Sequence, residues 1–318
     1  AASDVYKRQY QAIEDMLPRL EELDLIDRLA SEAQAATADD EKLIRYIRIF
    51  RKLHPRVLAE RRVSRTEIFD ALFADDEEAR NIAHAAYNDS YRKFYGEVYP
   101  YQDGISEYLA YIAASDIPIG IATNRSREFF DNEITQLEGG QWQQFLSVSC
   151  CGDEAGRHKP APDALRYCCK ILGLKPDKST WYVGDSITDV ITAHAAGLTP
   201  VFYNAGLLSS AELGPLLESL DTRGGGPDAI IDDFEQLLDT LEALGATPGK
   251  NVSRPPRRPP RQPPPPRIEA DWHPAVANLT APEIILFDWH ATLVDTLDAM
   301  YHACLLYTSD AADDDYTV

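Results

Sequence analysis

The chain has 318 residues, 44% hydrophobic and 26% charged, with a formal net charge of −21. That length allows one large domain or two modest ones with ample core. The acidic balance argues against nucleic acid as the main partner, since a phosphate backbone needs a basic face, and no apolar run approaches the roughly 18 residues of a membrane span. Five cysteines occur, Cys150, Cys151, Cys168, Cys169 and Cys304, with no CxxC spacing; they read as reduced thiols rather than disulfides. The N-terminus lacks the basic-then-apolar layout of a signal peptide, so the expected location is the cytoplasm.

Residues 1–9 (AASDVYKRQ) and 305–318 (LLYTSDAADDDYTV) fit nothing beside them and read as non-native or disordered tails. Residues 10–100 have a helical pattern with no strand signal. In DDEKLIRYIRIFRKLH, Leu43, Ile47 and Phe50 fall at i, i+4 and i+7, and Asp39 or Asp40 can cap the start. RTEIFDALF (65–73) and residues 75–98 predict two more helices.

The period changes over residues 101–244. Strands are predicted at 117–123, 146–152, 180–185, 199–204 and 227–233. Helices fall between them, at 104–115, from Ser126 onward, at 159–174 with prolines in its first turn, and at 188–197 ending on Gly197; a last one spans 234–244. Strands alternating with helices imply an α/β fold with a parallel sheet and right-handed crossovers. Residues 245–280 break the composition. The stretch 254–267 alone holds eight prolines and five arginines and predicts an extended polyproline-type linker. Residues 281–304 then supply one more apolar run, Ile284 to Phe287, followed at once by Asp288, a turn and a helix. In an open parallel sheet, ligands sit beyond the carboxyl ends of the strands, so Asp288 stands where a nucleophile or metal ligand would be.

Four stretches, FDWHAT (287–292), IGIATN (119–124), RHKPAP (157–162) and WYVGDSITD (181–189), resemble the four motifs of the haloacid dehalogenase superfamily of hydrolases and phosphatases. The resemblance implies a Rossmannoid parallel sheet flanked by helices. It also makes residues 10–100 look like the small helical cap of the phosphoglycolate phosphatase-like branch. The order departs from that pattern, because the nucleophile motif comes first in the superfamily and last here. The chain reads as a permuted copy of one domain, or as gene fragments joined in the wrong order; the odd ends favour an assembly artefact. About 36 linker residues have a random-coil span on the order of 30 Å. That is enough for residues 284–287 to slot into the middle of the sheet, where Asp288 would meet Asp185.

The resemblance assigns roles residue by residue. Asp288 matches the nucleophile and first metal ligand, Asp185 the second metal carboxylate, and Asp189 the acid that orients metal-held water. Mg²⁺ is the implied ion, with the backbone carbonyl of His290 as a further ligand. Thr123 matches the hydroxyl donor to the phosphate, with the Asn124 N–H beside it, and Lys159 matches the cation of the third motif. Gly184 reads as a tight turn at the metal. One departure is chemical: D-W-H-A-T replaces D-x-D-G-T, so His290 stands at the general acid and base and Ala291 at the glycine. His290 can shuttle a proton, with a reference pKa near 6.5. Without a competent group there, a loss of roughly 10²- to 10⁴-fold is expected.

The leading expectation is a Mg²⁺-dependent phosphatase of a small phosphorylated metabolite. A second is a phosphonoacetaldehyde hydrolase-like enzyme, whose D-W-A-G-T motif shares Trp289 and which needs a cap lysine such as Lys42, Lys52 or Lys93. A third is a non-catalytic protein of the same fold, impaired by His290 or by the permuted order. Arg45, Arg48, Arg51 and Arg125 are the candidate cations for substrate choice. No membrane or nucleic-acid partner is expected, and nothing in the sequence speaks to oligomeric state.

Overall fold

The computed structural model describes residues 10–35, 37–55, 65–94, 98–204, 208–218, 220, 224–246, 253–257 and 278–295. They fall into two compact units, one on the N-terminal side of Gly96 and one within Glu97–Asp298.

The N-terminal unit contains α1 (Ala38–Phe50), α2 (Arg65–Phe73) and α3 (Glu77–Tyr91). Helix α1 is capped by Thr37, two residues before Asp39, the earlier of the two acids expected to cap it. Thr37 Oγ1 accepts from the Asp40 N–H at 3.1 Å and Asp40 accepts from the Thr37 N–H at 3.0 Å, a reciprocal capping box. Its buried stripe is Leu43, Ile44 and Ile47; Phe50, expected inside, is 55% exposed. Helix α3 is capped by Asp76, which accepts from the Ala79 N–H at 3.0 Å, and Arg28 pairs with both Asp76 and Glu78.

The second unit is built on six parallel strands: β2 (Ile119–Ala122), β3 (Leu146–Cys150), β4 (Thr180–Gly184), β5 (Thr199–Tyr203), β6 (Ala229–Ile231) and β7 (Ile284–Phe287). Their order is β3-β2-β7-β4-β5-β6, so the strand of this sheet that comes last in sequence lies at its centre. Ile285 pairs with Ile119 on one side and Trp181 on the other, and Phe287 with Ile121 and Val183. A parallel strand covered on both faces needs an unbroken apolar run, which IILF supplies. Gly120 makes room for it: a Cβ there would lie 2.6 Å from both Leu286 Cδ2 and Val148 Cγ1.

Helices α4 (Ile105–Ala113), α5 (Arg127–Gln136), α6 (Asp163–Ile171), α7 (Ile187–Ala196), α8 (Ser210–Glu218) and α9 (Phe234–Ala243) complete this α/β unit. Ile285 and Phe287 pack in one cluster with Tyr108, Leu109, Phe234 and Leu237. Ile284 and Leu286, on the alternate face, pack in another with Leu165, Cys168 and Ala193. Burying side chains of this size contributes about 1.5–3 kcal/mol each. That is ample to hold a strand which arrives late in the chain.

Some details were not expected. Helix α6 begins at Asp163 with Pro162 at its cap, not at Lys159, and α8 had no clear signal. A two-residue strand β1 (Tyr99–Pro100) pairs antiparallel with β8 (Val294–Asp295). The described start of the proline- and arginine-rich segment lies against α9, where Arg254 pairs with Glu235 at 2.8 Å, Asp239 at 2.8 Å and Glu242 at 2.7 Å. Cys150, Cys151, Cys168 and Cys169 are free and buried, and burial pushes the Cys150 thiol up to about 11. No described helix is long and apolar enough to cross a membrane. Both tails, most of the linker, Cys304 and the helix expected after Asp295 lie outside the described residues.

Candidate active site

The carboxyl ends of β2, β7 and β4 lie side by side and each hands over a polar residue. The Asp288 N–H donates to the Val183 carbonyl at 2.8 Å, carrying the β4–β7 ladder one residue past the strand. Asp185 follows β4 directly, and Thr123 follows β2, its N–H bonded to the Cys150 carbonyl at 3.1 Å. Asp189 comes from the first turn of α7. Its orientation is set by the helix cap: Oδ2 accepts from the Ser186 N–H at 3.1 Å and hydroxyl at 2.6 Å. Carboxylate oxygens of Asp185, Asp189 and Asp288 all lie within 4.8 Å of one another. Gly184 serves this approach by lacking a side chain rather than by an unusual turn, since a Cβ there would stand 2.4 Å from Asp189 Cγ.

Lys159 is 5% exposed and sits among these acids. Its Nζ donates to Asp189 Oδ1 at 2.7 Å and to the Tyr182 hydroxyl at 2.9 Å, and it forms an ion pair with Asp288 Oδ1 at 2.7 Å. The Tyr182 hydroxyl in turn donates to the Ala122 carbonyl at 2.8 Å, with Asp189 Oδ1 at 3.0 Å. The Asn124 side chain clasps the Lys159 backbone, accepting from its N–H at 2.8 Å and donating to its carbonyl at 3.3 Å. Thr123 Oγ1 accepts from the Arg125 N–H at 3.1 Å, and Thr292 donates to Asp185 Oδ1 at 3.2 Å.

Three carboxylates share one ammonium. Burial and then the charges of Asp189 and Asp288 push the Asp185 carboxyl well above its ordinary range. Burial also raises Asp288; Lys159 pulls it down, Asp189 pushes it back, and the balance stays raised. Burial works against the charge on Lys159, but Asp189 and Asp288 outweigh it and hold the ammonium more firmly. Such an excess of closely spaced oxygen donors fits a hard divalent cation, which takes carboxylates and keeps waters. Gly184, by admitting Asp189, keeps the donor set that tight.

Residues 56–202 match the model of a family described as haloacid dehalogenase-like hydrolase. Over that segment, which is under half of the chain, the protein is similar to the haloacid dehalogenase-like hydrolases. The chain is 30% identical over 156 residues to a phosphoglycolate phosphatase of Salmonella typhi, covering 47% of this chain and 56% of that protein. It is 27% identical over 174 residues to a phosphoglycolate phosphatase of Nitrosococcus oceani, covering 55% and 64%. It is also 27% identical over 143 residues to an N-acetylmuramic acid 6-phosphate phosphatase of Pseudomonas aeruginosa, covering 45% and 58%. The chain thus spans between 56% and 64% of the length of these relatives. The strand that carries Asp288 lies outside the segment matched to the haloacid dehalogenase-like family, and the sheet brings it in.

The departure from the haloacid dehalogenase-like motif has its own surroundings. His290 Nε2 lies 3.3 Å from Glu133 Oε2, and the Trp289 indole N–H donates to the same oxygen at 2.8 Å. Arg125 pairs with Glu133 and is buried, so this candidate substrate cation is already engaged. Ala291 adopts φ 57°, in the left-handed region. The turn closes through the carbonyls of Trp289 and Val294. In the N-terminal unit, Lys42 pairs with Asp39, Lys93 with Asp15 and Arg45 with Glu41. Arg48 donates to the carbonyls of Leu29 and Ala30, Arg51 to that of Ile47, and Lys52 is exposed.

Sequence reasoning passed over Glu133, Tyr182, Ser186 and Thr292. Signals for two of them were present. Ser186-x-x-Asp189 is a capping-box spacing, and Glu133 interrupts the apolar stripe of Phe129, Phe130 and Ile134.

Proposed function

We propose that this chain is a phosphatase of small phosphorylated metabolites in the phosphoglycolate phosphatase-like branch, with Asp288 as its nucleophile. The observation that carries the reading is the gathering of Asp288, Asp185 and Asp189 around Lys159 at the carboxyl ends of adjacent strands. Its chemistry is that of the phosphatases among the relatives.

In this reading Asp288 attacks phosphorus, an acyl-phosphate bond forms, and the ester P–O bond breaks. The leaving oxygen takes a proton, for which His290 is the candidate on the nucleophile's own loop. Water then cleaves the acyl phosphate, restoring Asp288 and releasing inorganic phosphate. Lys159, the Thr123 hydroxyl and the Asn124 N–H hold the phosphoryl oxygens through the transfer. Asp288, Asp185 and the His290 carbonyl, with Asp189 beside them, would hold Mg²⁺, which supplies charge neutralisation at the phosphoryl group. The proposed setting is the cytoplasm.

The test is phosphate release from a panel that includes 2-phosphoglycolate and N-acetylmuramic acid 6-phosphate, with and without Mg²⁺, beside Asp288→Asn. Release that needs both Mg²⁺ and Asp288 supports the reading. Release that survives Asp288→Asn, or no release from any ester with Mg²⁺ present, overturns it.

A further inference from the structure

Glu133 stands on the buried face of α5 beside Phe129, Phe130 and Ile134 and is 3% exposed. A carboxylate is costly in such a place unless it is paired and hydrogen-bonded. Here it is, on every side. Arg125 donates from Nε to Oε2 at 3.3 Å and reaches Oε1 through its other nitrogen. Trp289 donates to Oε2 at 2.8 Å, and His290 Nε2 faces the same atom at 3.3 Å. The Trp289 ring is held in turn by Phe130 and Trp142, with centroids at 4.7 and 6.2 Å. One buried carboxylate therefore joins the loop after β2 to the two residues that follow Asp288.

We propose that Glu133 is the positioning residue of the nucleophile loop: through Oε2 it holds the rings of Trp289 and His290 in place beside Asp288. This rests on the phosphatase reading above. The same geometry explains why a histidine suits position 290. An acid there would place a second carboxylate on the side of the loop that Glu133 faces, where like charges repel.

Three variants test this: Glu133→Gln, His290→Asp and the two combined. The probes are p-nitrophenyl phosphate and 2-phosphoglycolate with Mg²⁺, and urea unfolding. Glu133→Gln is expected to lower kcat at least 10-fold while KM stays within 2-fold, a split that a general loss of packing would not give. His290→Asp is expected to lower the urea midpoint, and adding Glu133→Gln to it to raise the midpoint again. The proposal is overturned if Glu133→Gln keeps kcat within 2-fold of the wild type. It is equally overturned if the combined variant is no more stable than His290→Asp alone. Should the wild type release no phosphate, the phosphatase reading fails, while the urea midpoints still decide the pairing of Glu133 with His290.

Discussion

The backbone N–H of Asp288 donates to the carbonyl of Val183 at 2.8 Å. Through that bond β7 aligns with β4, and Asp288 comes beside Asp185 although the two are far apart in the chain. The consequence is a surplus of negative charge. Both carboxyls have folded-state values raised above the ordinary 3.8. A raised carboxyl contributes stability that is fully present below the unfolded value and lost as pH rises through the folded one. The metal-free protein should therefore lose stability as pH climbs above about 4, and Mg²⁺ should restore it. At a concentration 100 times its Kd, a ligand adds about 2.7 kcal/mol. Urea midpoints at pH 4, 6 and 8, with EDTA or with Mg²⁺, will show a metal effect that grows with pH.

Tyr182→Phe should cost about 1–3 kcal/mol. The change leaves one Lys159 proton and the Ala122 carbonyl without their partner in a buried site. It should also lower phosphate release, because the ammonium then leans wholly on Asp189 and Asp288. Urea unfolding reads the first effect and steady-state kinetics the second.

Ala291→Gly should stabilise the protein. Ala291 sits at φ 57°, where a Cβ is strained by about 1–2 kcal/mol and glycine is not. Glycine gives back roughly 0.4–1 kcal/mol through its freer unfolded chain, so the net gain expected is about 0.5–1 kcal/mol. A rise in the urea midpoint with an unchanged slope would confirm it.

Much of this was legible beforehand for a physical reason. Runs such as IILF and WYVG are apolar throughout, and only a strand buried on both faces needs that. Acids placed directly after such runs mark the carboxyl end of the sheet. What stayed hidden depended on tertiary contact. Nothing local reveals that the Asn124 side chain clasps the Lys159 backbone or that Phe50 turns outward. Composition alone made 254–267 an extended linker; the docking of Arg254 on α9 depends on acids spaced along another element.

That docking carries its own expectation. Arg254 is 21% exposed and faces Glu235, Asp239 and Glu242, two of which also accept from the hydroxyls of Tyr108 and Tyr111. Arg254→Ala should cost about 1–2 kcal/mol at low salt and less at 1 M, where screening acts within about 3 Å. Unfolding in urea at two salt concentrations separates this clamp from ordinary packing, which salt does not weaken.

Glu133 sets the acid limit. Burial pushes its carboxyl up, but the charges of Arg125 and His290 outweigh burial and bring it from 4.5 down to about 2. A depressed carboxyl contributes stability that is present above the unfolded value and lost as pH falls through the folded one. The window runs from pH 4.5 down to about 2, and the loss across it is about 3 kcal/mol. Asp185 and Asp288 act in the opposite sense at higher pH, so the combined contribution of the three acids peaks near pH 4–5 in metal-free protein. Mg²⁺ should flatten the upper limb alone, and Glu133→Gln the lower limb alone. Urea midpoints followed from pH 2.5 to pH 8 resolve both limbs in one series. A lower limb that persists in Glu133→Gln would assign the acid sensitivity to other carboxylates.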